Sequence, residues 1–408
     1  MSTEDKYSGG NRLVLLIIVV FFTSYFGPSA LQLYRVIHLY DEDRIVHNFL
    51  NMKEIFPTRA VHAPTEAFAF RRADLPIPAS FMFNGEERDL DEYLDYSKST
   101  GMLVLKNDVI VFERYWRGHR EDGLHVSWSV AKSFVSALVG IALAEGKFEN
   151  IHDPITRYLP ELEGSGYDGV QIKDILEMSS GVGFNEDYAD YDSDINRFSR
   201  TIAFGGSMAK FAASLESVRD PGSYHHYVSI DTQVLGMLLT RVTGVSLATY
   251  LEEKIWQPIG MEHDAYWMLD SSGMEVALGG LNASLRDYAR FGLLYLNRGR
   301  FRGVQIVPTQ WVRRSTTPGA SHLQPGKGNP ASSSTWGYGY QWWVPEPARN
   351  DYTAAGVYNQ YIYVNPAARV VIVKNSANRR YLVERQESKD LHIAMFRAIA
   401  EAIGEVGD

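Results

Sequence analysis

Apolar residues recur along this chain with two different periods. Strand patterns open at Gly101-Met-Leu-Val-Leu, turn at Lys106-Asn107-Asp108 and return as Val109-Ile-Val-Phe-Glu-Arg-Tyr-Trp116, which predicts a β-hairpin. Farther along, apolar positions recur every three to four residues. This predicts helices over Gln171–Met178, Met208–Glu216, Ile230–Thr243, Leu247–Gln257, Leu285–Asn297 and Pro308–Thr316. Strands return at Tyr338–Val344, Tyr361–Val364 and Val370–Lys374, and an amphipathic helix is expected over Leu391–Ile403. Strands near both ends with helices between them predict an α+β fold. Its antiparallel sheet is flanked by helices, a mostly helical lobe is inserted at about residues 150–320, and a cleft lies between the two.

The first residues do not fit that domain. Residues 1–12 are polar, whereas 13–33 are almost uniformly apolar and about long enough to cross a bilayer, which predicts a transmembrane helix or an export signal. Proline occupies the first position of Pro28-Ser29-Ala30, a poor cleavage site, so an anchor is favoured. Lysines and arginines stand on both sides and do not orient the span. Residues 34–84, broken by Pro57, Pro64, Pro76 and Pro78, read as a stem or wrap, which leaves 85–408 for the main domain.

Composition removes several classes of function. A net charge of −9 gives no basic footprint for nucleic acid. Zero cysteines exclude disulfides, thiol catalysis and thiolate metal sites, and fit an exported bacterial protein. No His-Glu-x-x-His or similar spacing is present, so no metal is expected.

Chemistry concentrates at Ser129-Val-Ala-Lys132, which opens the apolar stretch that follows. A spacing of three puts both side chains on one helical face, where an amine can reach the hydroxyl, and a helix start adds N–H groups that favour an oxyanion. Ser207-Met-Ala-Lys210 has the same spacing but reads as an N-cap serine with a solvated lysine. Downstream, Tyr227-Val228-Ser229 precedes another apolar helix. Beside Lys132 the phenol pKa of Tyr227 is expected to fall, suiting it to act as a general base.

Ser-Val-Ala-Lys, then Pro221-Gly-Ser-Tyr-His-His-Tyr-Val-Ser and a Leu-Gly-x-x-x-x-x-Val-Thr-Gly helix, together resemble the serine β-lactamase and penicillin-binding-protein superfamily. The likeness is to its class C-like branch of esterases, D-peptidases and 6-aminohexanoate-dimer hydrolases. Tyr-x-Ser in place of Tyr-x-Asn, with Ser-Ser-Gly-Val-Gly-Phe-Asn-Glu-Asp-Tyr at 179–188, is similar to the last of these. The resemblance implies a β-lactamase/transpeptidase-like fold, Ser129 as acylated nucleophile, Lys132 as its proton partner and Tyr227 as base. It further implies that Ser229 hydrogen-bonds near Lys132, and that Ala354-Ala355-Gly356 takes the place of the third motif. Gly356 then permits close approach, and the N–H groups of Ser129 and Val357 form the oxyanion hole. Ala354 supplies no cation there, which puts efficient β-lactam hydrolysis in doubt.

The acidic loop Glu186, Asp187, Asp190, Asp192 and Asp194 reads either as an anchor for a substrate amine, with Asp187 and Tyr188 at the site, or as a solvated loop. His225 and His226 read as packing or loop residues. Trp336, Tyr338, Tyr340, Trp342 and Trp343 read as core and edge packing with room for one ring at the cleft. The expected function is a cofactor-free serine hydrolase of a small amide or ester, anchored in a bacterial envelope with its domain outside. The alternative is a non-catalytic, penicillin-binding-like protein that recognises peptidoglycan or a partner.

Overall fold

Strand patterns from the two ends of the domain meet in one eight-stranded sheet. In the computed structural model, which describes residues 31 and 33–405, the sheet runs Gly337–Tyr338, Trp343–Val344, Tyr352–Gly356, Gln360–Asn365, Val370–Ser376, Ser99–Lys106, Val109–Tyr115, Arg71–Arg72. Its pairs are antiparallel except the last, where Arg71 and Arg72 run parallel to Val109 and Ile110. Closure by both ends rests on Val370–Ser376 lying against Ser99–Lys106.

Alternation along the strand Gln360–Asn365 assigns each face its helix. Ile362 faces the helix Leu285–Leu296, which comes so close that a methyl on Gly292 would stand 2.5 Å from Val371 and 2.8 Å from Ile362. Tyr361 and Tyr363 face the C-terminal helix Tyr381–Glu405, each with its ring centroid 5.4 Å from Phe396. This helix begins ten residues before the expected Leu391 and breaks at Arg385, whose φ is 43°. Its amphipathic period is regular only beyond that break.

The apolar stretch after Ser129 forms the helix Ala131–Ala144, buried on nearly all sides. A helix apolar all round belongs inside the core. Phe134 stacks on Phe291 at 3.6 Å, and the helix packs against Ser229–Thr243 and, through Gly140, against Trp311. The inserted region is not purely helical. Ala265–Met268 and Leu281–Ser284 join Thr58–Val61 and Leu124–Val126 in a four-stranded antiparallel sheet. Its two inner strands are wholly buried and only four residues each, and the polar residues that alternate in the second, Asn282 and Ser284, are buried with the rest.

Two further expectations change. Tyr338–Val344 is not one strand but a tight hairpin in which Tyr338 pairs with Trp343. Gln341 turns the chain at φ 62°, accepting from Thr232 Oγ1 at 2.7 Å and donating to the Leu176 carbonyl at 2.9 Å. The helix at Leu247 ends at Leu251 and continues as a π-turn over Glu252–Trp256.

The stretch 34–84 is a wrap with its own share of the core. Leu39, Ile45, Phe49, Met52, Ile55 and Val61 are all buried. Phe49 is 0% exposed, with its ring 5.2 Å from both Trp128 and Tyr358. Phe49→Ala is therefore expected to cost about 3–5 kcal/mol of stability, measured by urea denaturation. A loss under about 1 kcal/mol would mean that the wrap is only loosely attached. Apart from Leu31 and Leu33, the expected span 13–33 lies outside the described residues. Among the described residues no single helix is long and apolar enough to cross a membrane.

Candidate active site

The strand Leu124–Val126 runs into Ser127 and then Trp128, whose backbone sits at φ 44°. That left-handed conformation is costly for a bulky side chain and persists only where the surroundings impose it. Here they are rings: Phe49 at 5.2 Å, with Tyr40 and Tyr358 at 6.1 Å. Ser129 follows in a 3₁₀ turn, Trp128–Val130, that feeds the helix Ala131–Ala144. The serine thus stands just outside the α-helix, where backbone N–H groups still lack helical partners.

Lys132 lies one turn on, 1% exposed, with Nζ 3.2 Å from Ser129 Oγ and 2.7 Å from the Leu278 carbonyl oxygen. Burial lowers its pKa to about 7, against the opposing pull of the Glu186 and Asp231 carboxylates. Tyr227 brings its phenol to the Ser129 and Ser229 hydroxyls, and its ring centroid lies 5.4 Å from Lys132 Nζ. The expected fall in its pKa does not occur. Burial, followed by the charge of Glu186, holds the phenol well above its usual value, and the two hydroxyl contacts only partly offset this. The group brought near neutrality is the lysine.

Ser229 also departs from expectation. Its hydroxyl donates to Glu186 Oε1 and its N–H to Oε2 at 3.0 Å, and among the described residues no hydrogen bond joins it to Lys132. Tyr188 Oη donates to Glu186 Oε1 at 2.7 Å, so this carboxylate ties the loop to the start of the helix Ser229–Thr243. Asp187 is paired with Arg385 at 2.7 Å across the cleft, which lowers its pKa. Asp190 accepts from Asn185 and from the N–H of Asp192. The acidic loop thus spends much of its charge within the protein.

The strand Tyr352–Gly356 closes the other side. A methyl at Gly356 would stand 2.8 Å from the Ser127 carbonyl oxygen and 3.2 Å from the Ser129 nitrogen, so only glycine lets the strand lie this close to the elbow. Alternation then turns Ala355 and Val357 towards a cleft of about 620 Å³ that also exposes Ser129, Tyr227 and Tyr188. Ala354 does not join them: it is 0% exposed, in register with Ile362, and is not a cleft-lining residue.

Elsewhere, Ser207 caps its short helix by accepting from the Lys210 N–H. His225 is buried, with its pKa lowered to about 3 by desolvation, and His226 holds the Phe184 carbonyl. Sequence reasoning missed the Leu278 carbonyl and the cleft residues Arg385 and Lys389. Of the aromatic stripe, Trp343 is the ring that reaches the cleft, stacked on Tyr227 at 5.2 Å.

Known proteins share sequence and fold with this chain. A 6-aminohexanoate-dimer hydrolase from Paenarthrobacter ureafaciens is 29% identical over 340 residues, covering 81% of this chain and 84% of its own. The solved structure of a candidate 6-aminohexanoate-dimer hydrolase from Bacillus anthracis superposes with a TM-score of 0.81 at 26% identity, covering 91% of this chain and 97% of that one. A hydrolase with promiscuous acyltransferase activity shares the fold at a TM-score of 0.59 and 15% identity, covering 76% of this chain and 96% of that one. The Beta-lactamase family model matches residues 88–395, and the chain belongs to that family.

Proposed function

We propose that this hydrolase cleaves a small linear amide, of the kind named for its 6-aminohexanoate-dimer relatives, through an acyl-enzyme on Ser129. The observation that carries the reading is Ser129 Oγ 3.2 Å from a buried lysine whose pKa is lowered to about 7, with the Tyr227 phenol on the same hydroxyl. Neutral Lys132 takes the Ser129 proton as Oγ attacks the carbonyl carbon. The N–H groups of Ser129 and Val357 hold the oxyanion. Tyr227, neutral at rest, donates its proton to the leaving nitrogen and is reprotonated from Lys132, so the C–N bond breaks and an ester on Ser129 remains. Water then attacks the ester carbonyl and gives a proton to the same pair, which returns it to Ser129 Oγ as the C–O bond breaks and the acid leaves.

The family's name does not make a β-lactam the substrate. The third-motif position holds Ala354, a methyl group without charge. The direct test is mass spectrometry after mixing with a fluorophosphonate or a slowly deacylating ester. One adduct is expected, on the peptide carrying Ser129. An adduct on the Ser207 peptide alone, or none with any probe, would remove the proposal.

A further inference from the structure

Two acids and two bases line the cleft, but only one pair of them forms an ion pair. Asp187 is neutralised by Arg385, and Glu186 is saturated by Ser229 and Tyr188. Lys389 also lines the cleft, yet no carboxylate stands within ion-pair distance of it among the described residues. The neighbouring carboxylate, Asp390, accepts from Trp336 Nε1 and Gln386 Nε2, both at 2.9 Å. The Lys389 ammonium instead rests on two indoles, 5.0 Å from the ring centroid of Trp343 and 5.8 Å from that of Trp336. An aromatic seat holds a cation in place without cancelling its charge, which leaves it free for an anion.

The same rings connect it to the catalytic groups. Trp343 stacks on Tyr227 at 5.2 Å and carries Lys389. Tyr227 is the group that serves the leaving nitrogen under the acyl-enzyme reading, on which this inference rests. Lys389 and Tyr227 thus share the Trp343 indole as a common neighbour, and both line the cleft.

We propose that Lys389, seated on Trp343 and Trp336, binds a carboxylate on the leaving-group half of the substrate, so that the amine released is an amino acid with a free carboxylate. Among such amines, the 6-aminohexanoate for which the relatives are named carries its acid on a chain of several atoms and serves as the probe. This cation comes from the C-terminal helix, beyond its break at Arg385.

Two measurements test this. In the Ser129→Ala protein, calorimetry should show 6-aminohexanoate binding about ten- to hundredfold more tightly than 6-amino-1-hexanol, the range for one charge-assisted hydrogen bond. Lys389→Met in that background should remove the difference, and Lys389→Arg should keep most of it. In the active enzyme, a linear 6-aminohexanoate amide with a free carboxylate should exceed its carboxamide in kcat/KM by a similar factor, mainly through KM, and Lys389→Met should bring the ratio towards one. Equal binding of the two amines, or a preference for the acid that survives Lys389→Met, overturns the proposal while ester turnover still supports the hydrolase reading. If neither esters nor amides are turned over, the hydrolase reading fails, and the calorimetric comparison still decides whether Lys389 binds the carboxylate.

Discussion

Ser129→Ala is expected to lower kcat/KM for a p-nitrophenyl ester by about 10⁴- to 10⁶-fold, the scale on which removal of a nucleophile is felt in other serine hydrolases. Ser207→Ala, which removes only a helix cap, is expected to leave turnover within about twofold and to cost about 1 kcal/mol of stability. The two serines share a sequence motif, and their surroundings separate them. Ser129 projects from a strained elbow into the cleft with a buried amine at 3.2 Å, whereas Ser207 accepts the N–H of its own lysine's backbone. Alanine at 129 takes away one hydroxyl and leaves the elbow packed by Phe49, Tyr40 and Tyr358, so the variant should stay folded. Retention of more than about one-hundredth of the ester activity would show that attack comes from elsewhere.

The contrast between the motifs indicates what a single chain discloses. Ser129 and Lys132 were legible because a spacing of three brings side chains together on any helical path, even though the serine proved to lie in a 3₁₀ turn. Gly356 was legible as a close approach, since only a missing Cβ allows the strand to lie beside the elbow. Burial was not. The sequence places a cation beside Tyr227 and suggests an acidified phenol, but desolvation acts on both groups and leaves the phenol high and the lysine low. Partners from distant loops were not legible either. Ser229 could be seen at a helix start, but its attachment to Glu186 required the loop at 179–188 to fold back over it. Lys389 carries no motif at all. It follows an irregular turn in a helix, and only the fold places it over Trp343.

The pH dependence of Lys132 gives the second large effect. As the proposed proton acceptor it must be neutral, so kcat/KM should rise with pH along a limb centred near pH 7. Lys132→Arg, charged at every accessible pH, should lose about 10³-fold or more and show no such limb. Glu186 favours the charged lysine, so Glu186→Gln, which keeps an oxygen for Ser229 and Tyr188, should move the limb to lower pH. A limb that stays in place in this variant would assign it to another group. Stability offers a check that does not need turnover. Between about 7 in the folded chain and 10.5 in the unfolded one, the unfolded state binds a proton that the folded state does not, so unfolding free energy rises with pH in that window. The cost of burying this lysine is therefore absent above the upper value, grows as pH falls to about 7, and is constant below it. Relative to Lys132→Met, wild-type stability should climb by about 1.4 kcal/mol per pH unit across the window. Parallel curves for the two proteins would mean that the amine remains charged, and Ser129 would then have to lose its proton to the Tyr227 phenolate instead.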